Sequence, residues 1–227
     1  MKNIMLLLVL AMCLTTQTTN AQMLSKGVSK ELADHRKANI SKIIYDLSFD
    51  IPANPHEPVT GKAIISFNLK APQDVVLDFQ GQFDGTCYVY IEKKKGKSKR
   101  MPIEVTYHDE HIIIPMASML EGDNKIELLF AASDKALNRN EDYMYTLFVP
   151  DMARSAFPCF DQPDLRAVFV TSLNTPEGWK TMTSDNVCQL PTYLYSFVAG
   201  NFQEKTAVRD GRLMRILYRE TDPYKVA

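Results

Sequence analysis

Two long stretches of this chain place an apolar side chain at every second position. Ile43, Tyr45, Leu47, Phe49 and Ile51 alternate with Ile44, Asp46, Ser48 and Asp50, and Val59, Gly61, Ala63, Ile65, Phe67 and Leu69 alternate with Thr60, Lys62, Ser66, Asn68 and Lys70. A period of two sends successive side chains to opposite faces of an extended backbone, which no helix can accommodate. With one face polar, the pattern is that of half-buried antiparallel strands. Pro52, Pro55 and Pro58 form a stiff turn between the two stretches. Further strand-like runs lie at 75–79, 87–91, 103–107, 112–115, 125–130, 166–173, 193–199 and 213–218. Ahead of them, E-L-A-D-H-R-K with Ser29 as cap predicts a short polar helix over residues 29–39. The expected fold is all-β: a multi-stranded antiparallel β-sandwich or saddle with one short N-terminal helix.

A chain of 227 residues, 45% apolar and 23% charged, can bury one substantial core. Its formal net charge of −1 argues against a nucleic-acid surface. The basic run Lys93-Lys94-Lys95-Gly96-Lys97-Ser98-Lys99-Arg100 has no interleaved aromatics for base stacking and reads as a solvated hairpin tip. At the N-terminus, Lys2 precedes an apolar stretch over residues 4–14 that is too short to cross a bilayer, and Thr19-Asn20-Ala21 resembles a cleavage site. Residues 1–21 are therefore expected to be a signal peptide and the mature chain to be periplasmic or secreted, with no transmembrane segment. Leu10-Ala11-Met12 before Cys13 is only a faint acylation signal, because Met12 is bulky. Cleavage leaves Cys87, Cys159 and Cys188, an odd number that suggests no disulfide framework. A Cys159–Cys188 bridge stays open at this level.

The run from Arg154 to Asp164, R-S-A-F-P-C-F-D-Q-P-D, fits neither period. Pro158 and Pro163 exclude a helix interior and a central strand, yet Phe157, Cys159 and Phe160 are residue types that prefer burial. Such a segment is a loop wedged under a sheet, and its buried backbone needs polar partners. Arg154, Asp161 and Asp164 are the nearest candidates.

The same run carries a resemblance. Ala153, Arg154, Phe157, Pro158, Cys159, Asp161, Pro163 and Arg166 match the A-R-x-x-F-P-C-x-D-x-P signature of the N-terminal β domain of aminopeptidase N-type zinc metallopeptidases. Pro176-Glu177-Gly178-Trp179, Ser184-Asp185-Asn186, Pro191-Thr192-Tyr193-Leu194 and Phe197-Val198-Ala199-Gly200-Asn201-Phe202 follow in the family's order, and Ile43-Ile44-Tyr45-Asp46-Leu47 resembles its first strand more weakly. The resemblance implies a curved β domain over 41–220, a helical lead-in over 22–40 and the start of a linker at 221–227. It also implies that the strand before the signature borders a peptide cleft, with Tyr145 and Leu147 touching the substrate's first side chain. Arg154, Phe157, Pro158, Cys159, Asp161 and Pro163 then form the structural motif beside it.

The family's chemistry uses H-E-x-x-H, a later Glu and G-x-M-E-N to hold zinc and activate water. None of His35, His56, His108 and His111 sits in such a motif. The chain ends at Val226-Ala227, about where the family's catalytic domain begins. The resemblance thus implies the cleft and structural domain of an exported zinc aminopeptidase in truncated form, not catalytic alone. No catalytic or metal residue is expected here, and zinc only in a separate catalytic domain. A peptide is expected as partner only when that domain is supplied, and self-association through the uncovered interface is expected otherwise. The alternative is a free-standing β-sandwich interaction module. His108-Asp109-Glu110-His111 reads as a tight hairpin turn across which the two imidazoles could face each other. Residues 138–145 read as a loop leading into an edge strand. Three departures stand out: Leu147 and Val149 where the family often has Gln and Glu, Gln162 for Glu, and only five residues between Asn186 and Thr192 where a hairpin is usual.

Overall fold

In the computed structural model, residues 24–93, 97–184 and 188–225 are described. The expected signal peptide, Cys13, the tip of the basic run, Asn186 and the last two residues lie outside them. Helix α1 (Lys30–Asn39) opens the fold, and the Ser29 hydroxyl accepts from the Leu32 amide at 3.1 Å, the expected cap.

Strands β1 (Ile40–Asp50), β2 (Thr60–Leu69), β3 (Val75–Asp78), β4 (Cys87–Lys93) and β5 (Lys97–Ile103) come next. They are followed by β6 (Thr106–His108), β7 (His111–Ile114), β8 (Gly122–Ala131), β9 (Leu137–Arg139) and β10 (Tyr143–Thr146). The last are β11 (Ala167–Asn174), β12 (Lys180–Thr183), β13 (Phe197–Gly200), β14 (Gln203–Arg209) and β15 (Arg212–Tyr218). They form a six-stranded sheet in the order β11-β1-β2-β8-β4-β5, a four-stranded sheet β12-β13-β10-β9, a three-stranded sheet β3-β7-β6 and the hairpin β14-β15. The all-β expectation holds, with one exception to antiparallel pairing: β1 runs parallel to β11, Ile43 opposite Ala167 through Asp50 opposite Asn174.

The alternation in β1 and β2 becomes burial. Tyr45, Leu47, Phe49, Ala63, Ile65 and Phe67 are buried on the inner face of the large sheet, and Ile44, Asp46 and Thr60 look outward. Gly61 lies between the Phe49 and Phe130 rings. A Cβ there would stand 2.6 Å from Phe130 Cζ and 2.6 Å from the Ser48 carbonyl, so the position takes no larger residue without movement. The Asp109-Glu110 turn has φ of 47° and 70°, the twist that a two-residue hairpin requires.

Several boundaries differ from expectation. Residues 103–107 split between β5 and β6, and 193–199 begin as a 3-10 turn (Thr192–Leu194) before β13. β10 is not an edge strand, since β9 and β13 pair with its two sides. The basic run does form a hairpin, with Lys93 opposite Lys97. Cys87, Cys159 and Cys188 are free, so the Cys159–Cys188 bridge is absent.

Candidate functional site

The proline-broken loop is the junction of the molecule. Phe157, Cys159 and Phe160 are buried, as are Arg154, Pro158 and Asp161, while Pro163 is exposed at the loop's end. Phe157 packs edge-on against Tyr45 (5.9 Å between centroids), Phe148 (5.8 Å), Phe169 (6.5 Å) and Tyr195 (5.9 Å). One side chain thus ties the six-stranded sheet to the four-stranded one, an arrangement favoured by edge-to-face ring geometry.

Much of this irregular backbone finds a partner, as its burial demands. Asp78 N–H donates to the Cys159 carbonyl (2.7 Å) and Cys159 N–H to the Asp78 carbonyl (3.1 Å). Gln80 N–H donates to the Arg154 carbonyl (2.7 Å), and Phe160 N–H to the Tyr45 hydroxyl (2.9 Å). Asp161 accepts from Arg154 N–H (3.1 Å) and from the Thr192 hydroxyl (2.6 Å). Arg154 and Asp161 anchor the loop as expected, but through the Arg154 amide. Its guanidinium pairs instead with Asp151 at 2.7 Å.

The centre of the anchorage escaped the sequence reading. Arg36 of α1 donates from Nη1 and Nη2 to the two Asp78 carboxylate oxygens (2.8 and 2.7 Å) and from Nη2 to the Val76 carbonyl (2.8 Å). Asp161 N–H donates to Asp78 Oδ2 (2.8 Å). His111 Nδ1 lies 3.0 Å from Asp78 Oδ1, off-line for a hydrogen bond, and its Nε2 lies 3.0 Å from the Ser25 carbonyl, which can only accept. Arg36, Asp78 and His111 are all buried. Burial alone would raise the Asp78 pKa, but the Arg36 charge, His111 and the amide of Asp161 hold it at about 2. Burial pulls the His111 pKa down, yet Asp78 and the Ser25 carbonyl outweigh it and leave the ring above its ordinary value. Asp161 moves the other way: burial raises it, and its hydrogen bonds from Thr192 and Arg154 only partly offset that. The His108–His111 turn forms as expected, but the imidazoles do not face each other. His111 points into this network, and His108 is exposed beside Asp109. The signals were weak but present: an acid inside the apolar run Val75-Val76-Leu77-Asp78-Phe79, and Arg36 one helical turn after the apolar Leu32.

The second half of the site is the strand leading into the loop. Met144, Thr146 and Phe148 point inward, and Thr146 is locked to β13, its Oγ1 accepting from Phe197 N–H (3.0 Å). The opposite row, Tyr143, Tyr145, Leu147 and Val149, faces out, and the last three are 43%, 57% and 54% exposed. The Tyr143 and Tyr145 rings are stacked 6.2 Å apart, and the Arg219 guanidinium covers Tyr143 at 4.0 Å. Tyr145 and Leu147 therefore lie side by side on one outward face, held from behind by the anchored loop. Among the described residues no group of three His, Cys, Asp or Glu side chains could hold a metal ion.

The family model for the peptidase M1 N-terminal domain matches residues 41–189. Aminopeptidase N of Streptomyces lividans is 29% identical over 132 residues, covering 47% of this chain and 15% of that protein. A probable M1 family aminopeptidase 1 of Encephalitozoon cuniculi is 32% identical over 74 residues, covering 24% of this chain and 9% of its own. The M1 zinc metallopeptidase of Deinococcus radiodurans has a similar fold, with a TM-score of 0.63 at 16% identity over 75% of this chain and 44% of that one. Yeast LTA4 hydrolase gives 0.59 at 17% identity over 74% of this chain and 30% of its own. The chain thus spans less than half the length of each of these proteins.

Proposed function

Because the chain belongs to the peptidase M1 N-terminal domain family, we infer that it serves as the substrate-side, non-catalytic domain of an exported zinc aminopeptidase. The observation that carries this reading is the outward row Tyr145, Leu147 and Val149, an apolar surface on a strand fixed from behind by the buried loop. A rigid wall of apolar side chains suits an apolar side chain at the amino terminus of a peptide. Zinc does not fit the described residues: His111 is committed to Asp78 and Ser25, and His108 stands apart on the surface. In this reading the metal and the base that activates water belong to a separate catalytic unit.

The β14–β15 hairpin supports the need for such a unit. Val208 and Leu213 on one face are 73% and 68% exposed, and Met214 and Ile216 on the other are also uncovered. A two-stranded ribbon is marginal by itself, and apolar groups on both faces call for a cover. The catalytic unit would supply it, and without that unit the same surface would promote self-association. Residues 1–21 support export, and no described helix is long and apolar enough to cross a membrane.

The test uses residues 22–227 alone and fused to the zinc-binding unit of the Deinococcus enzyme. The chain alone should release no amino acid from leucyl or alanyl amides. In the fusion, Leu147→Lys should lower kcat/KM for leucyl amides about tenfold while leaving the melting temperature unchanged. Chelator-sensitive turnover by the chain alone, or a fusion indifferent to Leu147→Lys, would overturn the reading.

A further inference from the structure

A groove of about 750 Å³, well within the size of small-ligand clefts, lies at one end of the six-stranded sheet. It is separate from the outward row of β10. Its floor comes from Ser48 and Asp50 of β1, Thr60 and Lys62 of β2 and Leu129 of β8. Its rim is the segment Gln82-Phe83-Asp84. The rim is held rigidly: Gln82 N–H donates to the Ala131 carbonyl (2.8 Å), Ala131 N–H to the Gln82 carbonyl (2.9 Å), and Thr86 N–H to Asp84 Oδ1 (2.8 Å). The Phe83 ring is steadied edge-on by Tyr107 at 6.1 Å.

We propose that this groove binds a neutral oligosaccharide. The floor strands β1, β2 and β8 are interior, with both backbone edges used in the sheet, so a ligand cannot add as a strand and must be read by side chains. Those side chains are unspent. The hydroxyls of Ser48 and Thr60, the Lys62 ammonium and the Gln82 amide make no hydrogen bond or ion pair with protein among the described residues. Asp50 and Asp84 each use only one carboxylate oxygen, the first accepting from Asn174 and the second from Thr86. Hydroxyl, amide, carboxylate and ammonium groups together can both donate to and accept from vicinal hydroxyls. Phe83 and Leu129 offer apolar surface for the C–H face of a pyranose ring. Two carboxylates against one ammonium disfavour phosphate or sulfate, and the apolar rim disfavours a bare ion.

The experiment is a titration of 15N-labelled residues 22–227 with maltohexaose, cellohexaose and chitopentaose, with tetra-alanine and inorganic phosphate as competitors of other chemistry. At least one sugar should shift amides confined to the groove, with a dissociation constant of about millimolar or tighter. Phe83→Ala and Lys62→Ala should each weaken it about tenfold. If either variant loses its native spectrum, the surface variants Gln82→Ala and Asp84→Asn replace it, with the same loss expected. No shift with any of the three sugars, shifts outside the groove, variants that bind as the parent does, or tighter binding of tetra-alanine in the same place would each overturn the proposal.

Discussion

Replacing Asp78 by Asn would leave the buried Arg36 guanidinium and the buried His111 ring without their carboxylate. Arg36 spends both terminal nitrogens on that carboxylate, and His111 Nδ1 lies 3.0 Å from its Oδ1. Breaking a buried pair from one end costs about 3–5 kcal/mol, whereas exchanging both partners for apolar groups costs much less. Asp78→Asn is therefore expected to lower the free energy of urea unfolding by that amount, and Arg36→Met with Asp78→Leu to be milder than either change alone. The same residues set the pH response. The pKa of Asp78 falls on folding from 3.8 to about 2, so its contribution is present above pH 3.8 and is lost as pH drops toward 2. His111 is raised above 6.5, so its contribution is complete below 6.5 and fades as pH climbs through the folded value. Asp161 is raised above 3.8, so its contribution is complete below 3.8 and fades as pH rises through its folded value, opposing Asp78 in acid. Melting temperature against pH should therefore peak on the weakly acidic side, and His111→Gln should remove most of the alkaline decline. An unchanged alkaline limb in that variant would refute the assignment.

Among the elements, the readable ones bury one face and expose the other. β1 and β2 announce themselves because Tyr45, Leu47, Ile65 and Phe67 fall on the core side without a break. β12 and β14 do not: Lys180-Thr181-Met182-Thr183 is half-buried throughout, and β14 is exposed at nearly every position. Their strand character comes from backbone pairing with β13 and β15, which a local pattern does not record. The parallel alignment of β1 with β11 was hidden for the same reason, and the turn at Thr192–Leu194 is joined to the loop by the remote Thr192–Asp161 hydrogen bond. Two glycines test this scale. Gly211 closes the β14–β15 turn at φ 74°, so Gly211→Ala should cost about 1 kcal/mol and speed amide exchange throughout that hairpin. Gly61→Ala would press a methyl group into Phe130 and should cost about 1–3 kcal/mol in global unfolding.

At the scale of the molecule, the candidate site was half legible. Tyr145 and Leu147 were picked out by a resemblance, and the structure sets them next to each other and open to solvent. The clamp behind them was not, because Arg36, Asp78 and His111 come from three distant segments and meet only in the folded chain. Purified residues 22–227 are expected to contain no stoichiometric zinc by elemental analysis. In analytical ultracentrifugation they should sediment as a mixture of monomer and small oligomers that Leu213→Lys with Ile216→Lys shifts to monomer. A strictly monomeric parent would show that the hairpin faces need no cover.

The Ile43–Ala167 alignment also governs the order of events when the chain first acquires its shape. The first long strand cannot gain its outer neighbour until three-quarters of the sequence has been made, and Asp78 cannot meet Cys159 much sooner. Pairings this remote slow acquisition of the native state, because a long loop must close before any contact rewards it. Were the chain exported as proposed, threaded through a narrow pore while still extended, such lateness would be an asset.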